Sequence, residues 1–214
     1  MINLQKLLEL TISSREEPRK SFELEQLIKS YIAEESARSR GNINTYKLIK
    51  KYIDKAIKKF PHNLKVKGIK INNDKMLFTD THTAYRLNNI LEDLPVIEGY
   101  DIDSIIDSTI KRNDIKAETP TLNELKAQLK TAKAIKKARN IDKITTIKEG
   151  IVKIHNCYLD ITLLIEAIEI LGNKDIEVYA SEGKLNPVYI KSPMGEAIVL
   201  SIRVNTEIEN ELAS

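Results

Sequence analysis

The clearest pattern in this sequence runs from Cys157 to Val204 and reads CYLDITLLIEAIEILGNKDIEVYASEGKLNPVYIKSPMGEAIVLSIRV. Its first part places leucine, isoleucine and alanine residues at helical spacing over residues 159–171, which predicts a helix with one apolar face. Asn156 is a suitable cap for this helix, Asp160 falls in its first turn, and Gly172 favours its termination.

The second part of the same stretch predicts three strands, at residues 176–180, 187–191 and 197–204. Turn-forming residues separate them, at 182–183 and at 193–195. A helix followed by an antiparallel meander must bury its apolar face against the sheet. The stretch therefore predicts an α+β fold.

The same order of elements occurs earlier in the chain. Residues 46–60 predict a helix, and Pro61 follows it. Strands are predicted at residues 64–71, 75–80 and 83–87, and the turn Asn72-Asn73-Asp74 between the first two suits positive φ angles. The chain therefore contains two helix-plus-meander patterns with little sequence identity between them.

Two predicted helices, residues 46–60 and 121–139, are rich in basic residues opposite an apolar stripe. Thr121 and Glu124 form a capping box at the start of the second. The basic residues are Lys47, Lys50, Lys51, Lys55, Lys58 and Lys59 in the first helix, and Lys126, Lys130, Lys133, Lys136, Lys137 and Arg139 in the second. Such faces are often only solvated, but they also suit contacts with phosphate.

Two segments carry a resemblance to a known family. The Asn-Cys-Tyr-Leu start of the helix after residue 156, its Leu-Gly end, the Pro-Val-Tyr-Ile strand and the closing Ile-Arg-Val resemble the last half-domain of the bacterial DNA polymerase III β sliding clamp. Upstream, KMLFTDTHTAYRL at residues 75–87 is similar to the clamp strand pair whose turn reads Thr-Asp-Gly-His-Arg-Leu. Residues 99–101 and 105–106 lie where the clamp's domain linker would pass, and the resemblance covers about residues 46–204.

The resemblance implies a fold and a mode of action. Clamp helices line the hole of a ring, and their cationic faces meet duplex DNA without reading bases. If about six phosphates were neutralised, log K would fall with log salt at a slope of about −5. The chain is shorter than the family's three-domain chain, so a ring would need more copies, such as three, and a short clamp of this kind suits a phage or mobile element. The C-terminal helix carries Asp160, Glu166 and Glu169 and no lysine, so it is not expected to contact DNA.

A second implied site is a hydrophobic pocket that accepts short linear motifs of polymerases and other replication proteins. Carried over by position, its residues are Thr79, Thr81, His82, Thr83, Ala84, Ile198 and Leu200. Three positions depart from the family pattern: Thr81 replaces a glycine, Thr83 an arginine and Ser201 a proline. Plain core packing at a sheet end is the alternative interpretation of these residues.

The remaining segments complete the predicted organisation: an N-terminal helical segment at residues 1–42, clamp-like units at 43–98 and 99–206, and a frayed acidic tail at 207–214. Within residues 1–42 we predict two helices, and Leu4, Leu7 and Leu8 lie at the start of the first one. The second has Leu24, Leu27, Ile28, Tyr31 and Ile32 as its apolar stripe and Ser21 as its cap. Residues 101–110 predict a short helix or connector, and residues 143–155 predict two strands turned at Glu149-Gly150.

Composition limits the possible classes of protein. The chain has 214 residues, a net charge of +3 and 42% hydrophobic residues, which is ordinary for a soluble globular protein. It has no apolar run of membrane-spanning length and no signal-peptide pattern, so we expect a cytoplasmic protein. The single Cys157 excludes an internal disulfide and any multi-cysteine metal site, and with apolar neighbours it is expected to be a buried structural thiol.

The sequence offers little support for catalysis. Asp80 and His82 would share a face of a strand, but two ligands do not close a metal site, so a structural role at the turn is expected. Phosphate-binding glycine loops and nucleophile elbows are absent from the sequence. We therefore predict a non-enzymatic protein without cofactor or metal that tethers a replication protein to duplex DNA as a homo-oligomer. The alternatives are a clamp-like protein that binds a host replication component without encircling DNA, and a small hydrolase built on Asp80 and His82.

Overall fold

The computed structural model describes residue 11, residues 18–39, 43–66, 68–88, 91 and 94, and residues 96–213. The helices in this part of the chain are α1 (Pro18–Ser39), α2 (Ile43–Lys59), α3 (Ile102–Ile110), α4 (Leu122–Arg139), α5 (Ile161–Ile170) and α6 (Thr206–Ala213). The strands are β1 (Lys70–Asn72), β2 (Lys75–Thr79), β3 (Thr83–Leu87), β4 (Ile115–Ala117), β5 (Ile151–Ile154), β6 (Cys157–Asp160), β7 (Glu177–Ala180), β8 (Val188–Ser192) and β9 (Gly195–Val199). Mixed helices and antiparallel sheet confirm the predicted α+β class.

Seven strands form one antiparallel sheet in the order β1-β2-β3-β9-β8-β7-β4. The meander β1–β3 follows α2 and the meander β7–β9 follows α5, and the two meanders meet where β3 pairs with β9. At this junction Ala84 lies opposite Ile198 and Tyr85 opposite Ala197. Strands from both predicted units, residues 43–98 and 99–206, therefore contribute to the same sheet.

Alternation along the strands gives the sheet two buried faces. Phe78, Tyr85 and Ile190 belong to the large core beneath α2 and α5, whereas Leu77 and Ile198 pack with α3 on the other face. In the large core, the ring of Tyr52 from α2 meets the rings of Phe78 and Tyr85 edge-on, at centroid distances of 5.5 and 5.2 Å. Burial of each such ring contributes about 1.5–3 kcal/mol, so this cluster fixes α2 on the sheet.

The helices on the first face lie side by side. α2 contacts α1 along one edge and α5 along the other, and α4 packs on the far side of α5. α5 is the most apolar of them, and seven of its ten residues are buried. The layer order is therefore α1, α2, α5 and α4, with α5 in the centre. None of the helices in the described residues is long and apolar enough to cross a membrane.

The start of the C-terminal helix differs from the prediction. Residues Cys157–Asp160 form β6, which pairs with β5, and the helix begins only at Ile161. Asp160 is the N-cap: its Oδ1 accepts a hydrogen bond of 2.7 Å from the N–H of Thr162. Asn156 therefore does not cap the helix. Gly172 ends it as predicted, with φ of +83°.

Three predicted strands also need correction. Residues Leu64–Val66 form a 3-10 turn, so the first strand is only Lys70–Asn72. The closing strand ends at Val199 instead of residue 204. Residues 143–155 contain two 3-10 turns and the single strand β5, because the partner of β5 is β6 and not an upstream strand. The predicted helix option for residues 101–110 is confirmed by α3.

The predictions for the N-terminal segment are only partly confirmed. The second predicted N-terminal helix is confirmed as α1, but Ser21 lies within Pro18–Ser39 and so does not cap it. Its buried residues are Ala33 and Ala37, and much of the predicted apolar stripe is exposed. The first predicted helix, with Leu4, Leu7 and Leu8, lies outside the described residues.

The acidic tail is not frayed. It forms α6, whose Ile208 is buried against Ile151 and Tyr158 of the β5–β6 hairpin. The apolar residues of this tail are few but correctly spaced, and they cover a hairpin surface that the strands alone would leave open.

Candidate functional site

The outward sides of α2, α5 and α4 together form one surface, called the helical face below. Both predicted basic helices contribute to it, because they lie on either side of α5. With helix axes about 8–10 Å apart, α2 and α4 run about 16–20 Å from each other. The structure therefore brings the two basic segments to the same side of the sheet.

The basic residues of α4 form a row. Lys126, Lys130, Lys133 and Lys137 follow each other at intervals of four, three and four residues, which places them on one side of the helix, and all four are exposed. At 1.5 Å per residue the row is about 16 Å long. Lys136 and Arg139 point elsewhere; Nζ of Lys136 donates to the carbonyl of Asp142 at 2.7 Å.

The lysines of α2 form two groups that point in different directions. Lys47 and Lys50 turn towards α1, where Nζ of Lys47 lies 3.2 Å from Glu34 and Nζ of Lys50 donates to Ser30. The hydrogen bond from Lys47 holds the pKa of Glu34 below its usual value. Lys51, Lys55, Lys58 and Lys59 are exposed, and Nζ of Lys59 lies 5.1 Å from the ring centre of Phe60.

α5 contributes two carboxylates to the middle of the helical face. Nζ of Lys55 lies 2.6 Å from Glu166, and Nζ of Lys126 lies 2.6 Å from Glu169. The polar side of this helix therefore lies between the two basic helices. Within the described residues, Lys130, Lys133 and Lys137 form no ion pair.

A pocket of about 280 Å³ lies on the side of the sheet opposite the helical face. All seven residues predicted for the second site line this pocket: Thr79, Thr81, His82, Thr83, Ala84, Ile198 and Leu200. Pairing of β3 with β9 places Ala84 opposite Ile198, and the N–H of Leu200 donates to the carbonyl of His82 at 2.9 Å. These contacts bring two segments more than 110 residues apart in sequence into one concave surface.

The third wall of the pocket was not predicted. The lining is completed by Ile102 and Ile105 of α3 and by Tyr100, two residues before α3 begins. The floor is apolar and buried, whereas Ile105 and Leu200 remain 42% and 39% exposed at the rim. A small apolar cavity with exposed apolar rims and a few polar groups suits one or two side chains of a bound peptide. The spacing of Ile102, Ile105 and Ile106 was the signal for a helix with an apolar side, but not for its position.

A charged network fixes α3 to the sheet. Nη1 of Arg86 lies 2.8 Å from Asp107 and 3.2 Å from Asp103 of α3, and its Nε lies 2.6 Å from Glu196 of β9. Burial opposes the charge of Arg86, but its hydrogen bonds with these carboxylates raise its pKa above the usual value. The pocket wall formed by α3 is thus tied to the strand that forms the pocket floor.

Asp80 and His82 lie in the turn between β2 and β3. Oδ1 of Asp80 accepts hydrogen bonds from the N–H groups of His82 and Thr83, at 2.9 and 2.8 Å, and from the hydroxyl of Thr83. The carboxylate is buried and satisfied within its own turn. The hydroxyl of Thr83 also bonds Tyr52 of α2, on the helical side of the sheet. The structural role predicted for Asp80 is confirmed.

Cys157 is likewise a buried thiol. Burial raises its pKa, and its Sγ lies within hydrogen-bonding distance of the carbonyls of Gly183 and Asn186. The prediction that this thiol is buried is confirmed, and such surroundings disfavour its thiolate form. Among the described residues, no group of three or more histidine, cysteine, aspartate or glutamate side chains has a geometry that could hold a metal ion.

Comparison with known proteins adds no relative from which a function could be carried over. No family model, no curated protein and no solved structure matches this chain.

Proposed function

We propose that this protein is a sliding-clamp-like tethering factor that holds a replication protein on duplex DNA through sequence-independent contacts with the phosphate backbone. The observation that carries the proposal is the placement of the two basic helices on one side of the sheet, with an exposed row of lysines on α4. Three of them, Lys130, Lys133 and Lys137, form no ion pair within the described residues. The two helix-plus-meander units that meet at β3 and β9 support the clamp-like part of the proposal.

The chemistry of the row suits a mobile contact. Lysine is a compact point charge that attracts phosphate without reading bases, and the ammonium groups of an exposed row remain hydrated. Along the duplex axis the phosphates of one strand recur at about 3.4 Å, so a row about 16 Å long and parallel to that axis spans about five of them. The protein would bind duplex DNA weakly and without sequence preference, and it could move along the backbone.

The apolar pocket supports the second half of the proposal. It lies on the face of the sheet opposite the helical face, so a peptide in the pocket and DNA on the helices would not compete for the same surface. Its partner would be a DNA polymerase or other replication protein that presents a short apolar motif. We further propose that several copies, such as three, close a ring around DNA.

The DNA part of the proposal is tested by measuring binding of the protein to labelled duplexes of unrelated sequence. Fluorescence anisotropy gives the dissociation constant over a range of salt concentrations. Replacing Lys130, Lys133 and Lys137 with glutamine should weaken binding to all duplexes and make the salt slope less negative by about 2.7, or about 0.9 per lost phosphate contact. The matched control replaces Lys75, Lys111 and Lys191, which lie on the α3 side of the sheet, and should leave binding unchanged. Equal effects of the two triple variants would contradict the proposal.

The pocket also favours a second function, in which the protein binds a replication component without encircling DNA. Sedimentation with and without circular duplex DNA separates the two. A tethering ring should sediment as a discrete oligomer that is retained on circular DNA and lost when the DNA is linearised. A monomer that ignores DNA but binds an apolar peptide through the pocket would favour the second function.

A further inference from the structure

The two glutamates of α5 lie in an unexpected place for a surface that binds DNA. Helical spacing places Thr162, Glu166 and Glu169 along the outward line of α5, at the centre of the helical face. A carboxylate between two basic helices repels phosphate, so these residues oppose the proposed contact.

Each glutamate also holds one lysine of a neighbouring helix. The Lys55–Glu166 and Lys126–Glu169 pairs have the same length, 2.6 Å, and similar exposure: both lysine side chains are 50% exposed, and the glutamates 27% and 26%. One pair joins α5 to α2 and the other joins it to α4. The charge at the centre of the helical face is therefore neutralised on both sides of α5. The outer lysines of α4, which are Lys130, Lys133 and Lys137, form no ion pair within the described residues.

We propose that Glu166 and Glu169 limit the grip of the helical face on DNA. This inference rests on the proposed function: the glutamates hold Lys55 and Lys126 in ion pairs and keep phosphate away from the centre, so that only the outer lysines bind strongly. An exposed ion pair contributes no more than about 1 kcal/mol, which makes the pairs too weak to be needed for folding alone. A weak central contact leaves the protein bound to DNA yet free to move.

The direct test is the variant with Glu166→Gln and Glu169→Gln. It frees two lysines for two additional phosphate contacts, so the salt slope should become more negative by about 1.8. If the affinity at 1 M salt is unchanged, this slope corresponds to a gain of about sixtyfold in duplex affinity at 0.1 M salt. The dissociation rate from long linear DNA should fall together with the dissociation constant.

A matched control exists on the other face of the sheet. Lys116 and Glu177 also form a 2.6 Å pair, between β4 and β7, and Glu177 shares a strand face with Tyr179, which packs with the α3 core. Glu177→Gln should leave DNA affinity and salt slope as in the wild type. It removes one negative charge and one ion pair, as Glu169→Gln does, so comparing these two single variants separates the position of the glutamate from the change in net charge.

The mechanism is tested by adding Lys55→Gln and Lys126→Gln to the double glutamine variant. The salt slope should then return to that of the wild type, because the released lysines are gone. One buried oxygen of Glu166 has no hydrogen-bond partner among the described residues, so replacing Glu166 could affect folding. If the double variant folds poorly, Glu169→Gln alone, which leaves Glu166 unchanged, keeps the test valid. This single variant should give about half of the slope change.

The outcomes separate this inference from the proposed function. Wild-type binding to DNA with no gain in the glutamine variants, or an equal gain from Glu177→Gln, would overturn the inference and leave the proposed function intact. Absence of DNA binding by wild type and variants alike would overturn both.

Discussion

Replacing Thr81 with glycine should stabilise the protein, because Thr81 adopts a conformation that disfavours its side chain. Its φ is +74°, in the left-handed region, and its side chain is exposed. An L-residue in this region costs about 1–2 kcal/mol, and β-branching adds crowding. Within the described residues, the hydroxyl of Thr81 forms one hydrogen bond, a long one of 3.3 Å with Nδ1 of His82, so little is lost when it is removed.

The expected gain is smaller than the strain. Glycine loses about 0.5–1 kcal/mol through the greater entropy of its unfolded chain, which leaves a net stabilisation of about 0.5–1 kcal/mol. The hydrogen bond from the N–H of Thr81 to the hydroxyl of Thr79, 2.9 Å, is made by the backbone and should persist. For a chain of this size the gain corresponds to an increase in Tm of about 1–4 °C.

Urea unfolding of wild type, Thr81→Gly and Thr81→Ala measures this effect. Alanine removes the hydroxyl and the branch but keeps the Cβ atom, so it should gain less than glycine. A glycine variant no more stable than the alanine variant would show that backbone strain at residue 81 is not the cause.

Three further predictions concern the contacts that hold the pocket and the C-terminus. Arg86→Met should destabilise the protein by about 2–4 kcal/mol in urea unfolding, because it leaves carboxylates of α3 and β9 without their cation. Burial raises the pKa of Glu196, but hydrogen bonds from Arg86 and Tyr189 lower it below 4.5. The stabilisation that Glu196 provides is therefore present above pH 4.5 and lost as the pH falls through its folded pKa, so the stability difference between wild type and Glu196→Gln should shrink below about pH 4.5. Ile208→Ala should cost about 2 kcal/mol and abolish hydrogen-exchange protection in α6; unchanged protection would mean that α6 does not depend on this contact.

Local signals in the sequence predicted most of the elements correctly. The capping box of Thr121 and Glu124 is present at the start of α4, the positive φ angles of Asn73 and Asp74 occur in the β1–β2 turn, and β3 has the predicted bounds. Each of these features depends on neighbouring residues only, so the sequence is sufficient to predict it.

The errors arise where a distant partner decides the structure. Tyr158 and Leu159 suit a helix or a strand equally by their spacing, and pairing with β5 makes them a strand. The tail appears frayed by composition, but the surface of the β5–β6 hairpin gives Ile208 a place to pack. Periodicity gives no information about such partners.

The sites were predictable to different extents. The seven pocket residues were located because the resemblance placed the turn at residues 79–84 beside the strand at residues 198–200, and the β3–β9 register brings them together. The α3 wall was missed because the spacing of Ile102 and Ile105 predicts an apolar side without saying which surface it covers. The central position of α5 was missed for the same reason, since its layer order is a tertiary property.

The central claim is that duplex DNA lies on the helical face, and lysine labelling read by mass spectrometry tests it most directly. In the presence of duplex DNA, the account predicts reduced labelling of Lys130, Lys133 and Lys137, while Lys111 and Lys191 on the α3 side keep their reactivity. The protection should disappear as salt is raised, because the contacts are with phosphates. Protection of the α3-side lysines, or no protection of the α4 row at DNA concentrations that saturate binding, would contradict the account.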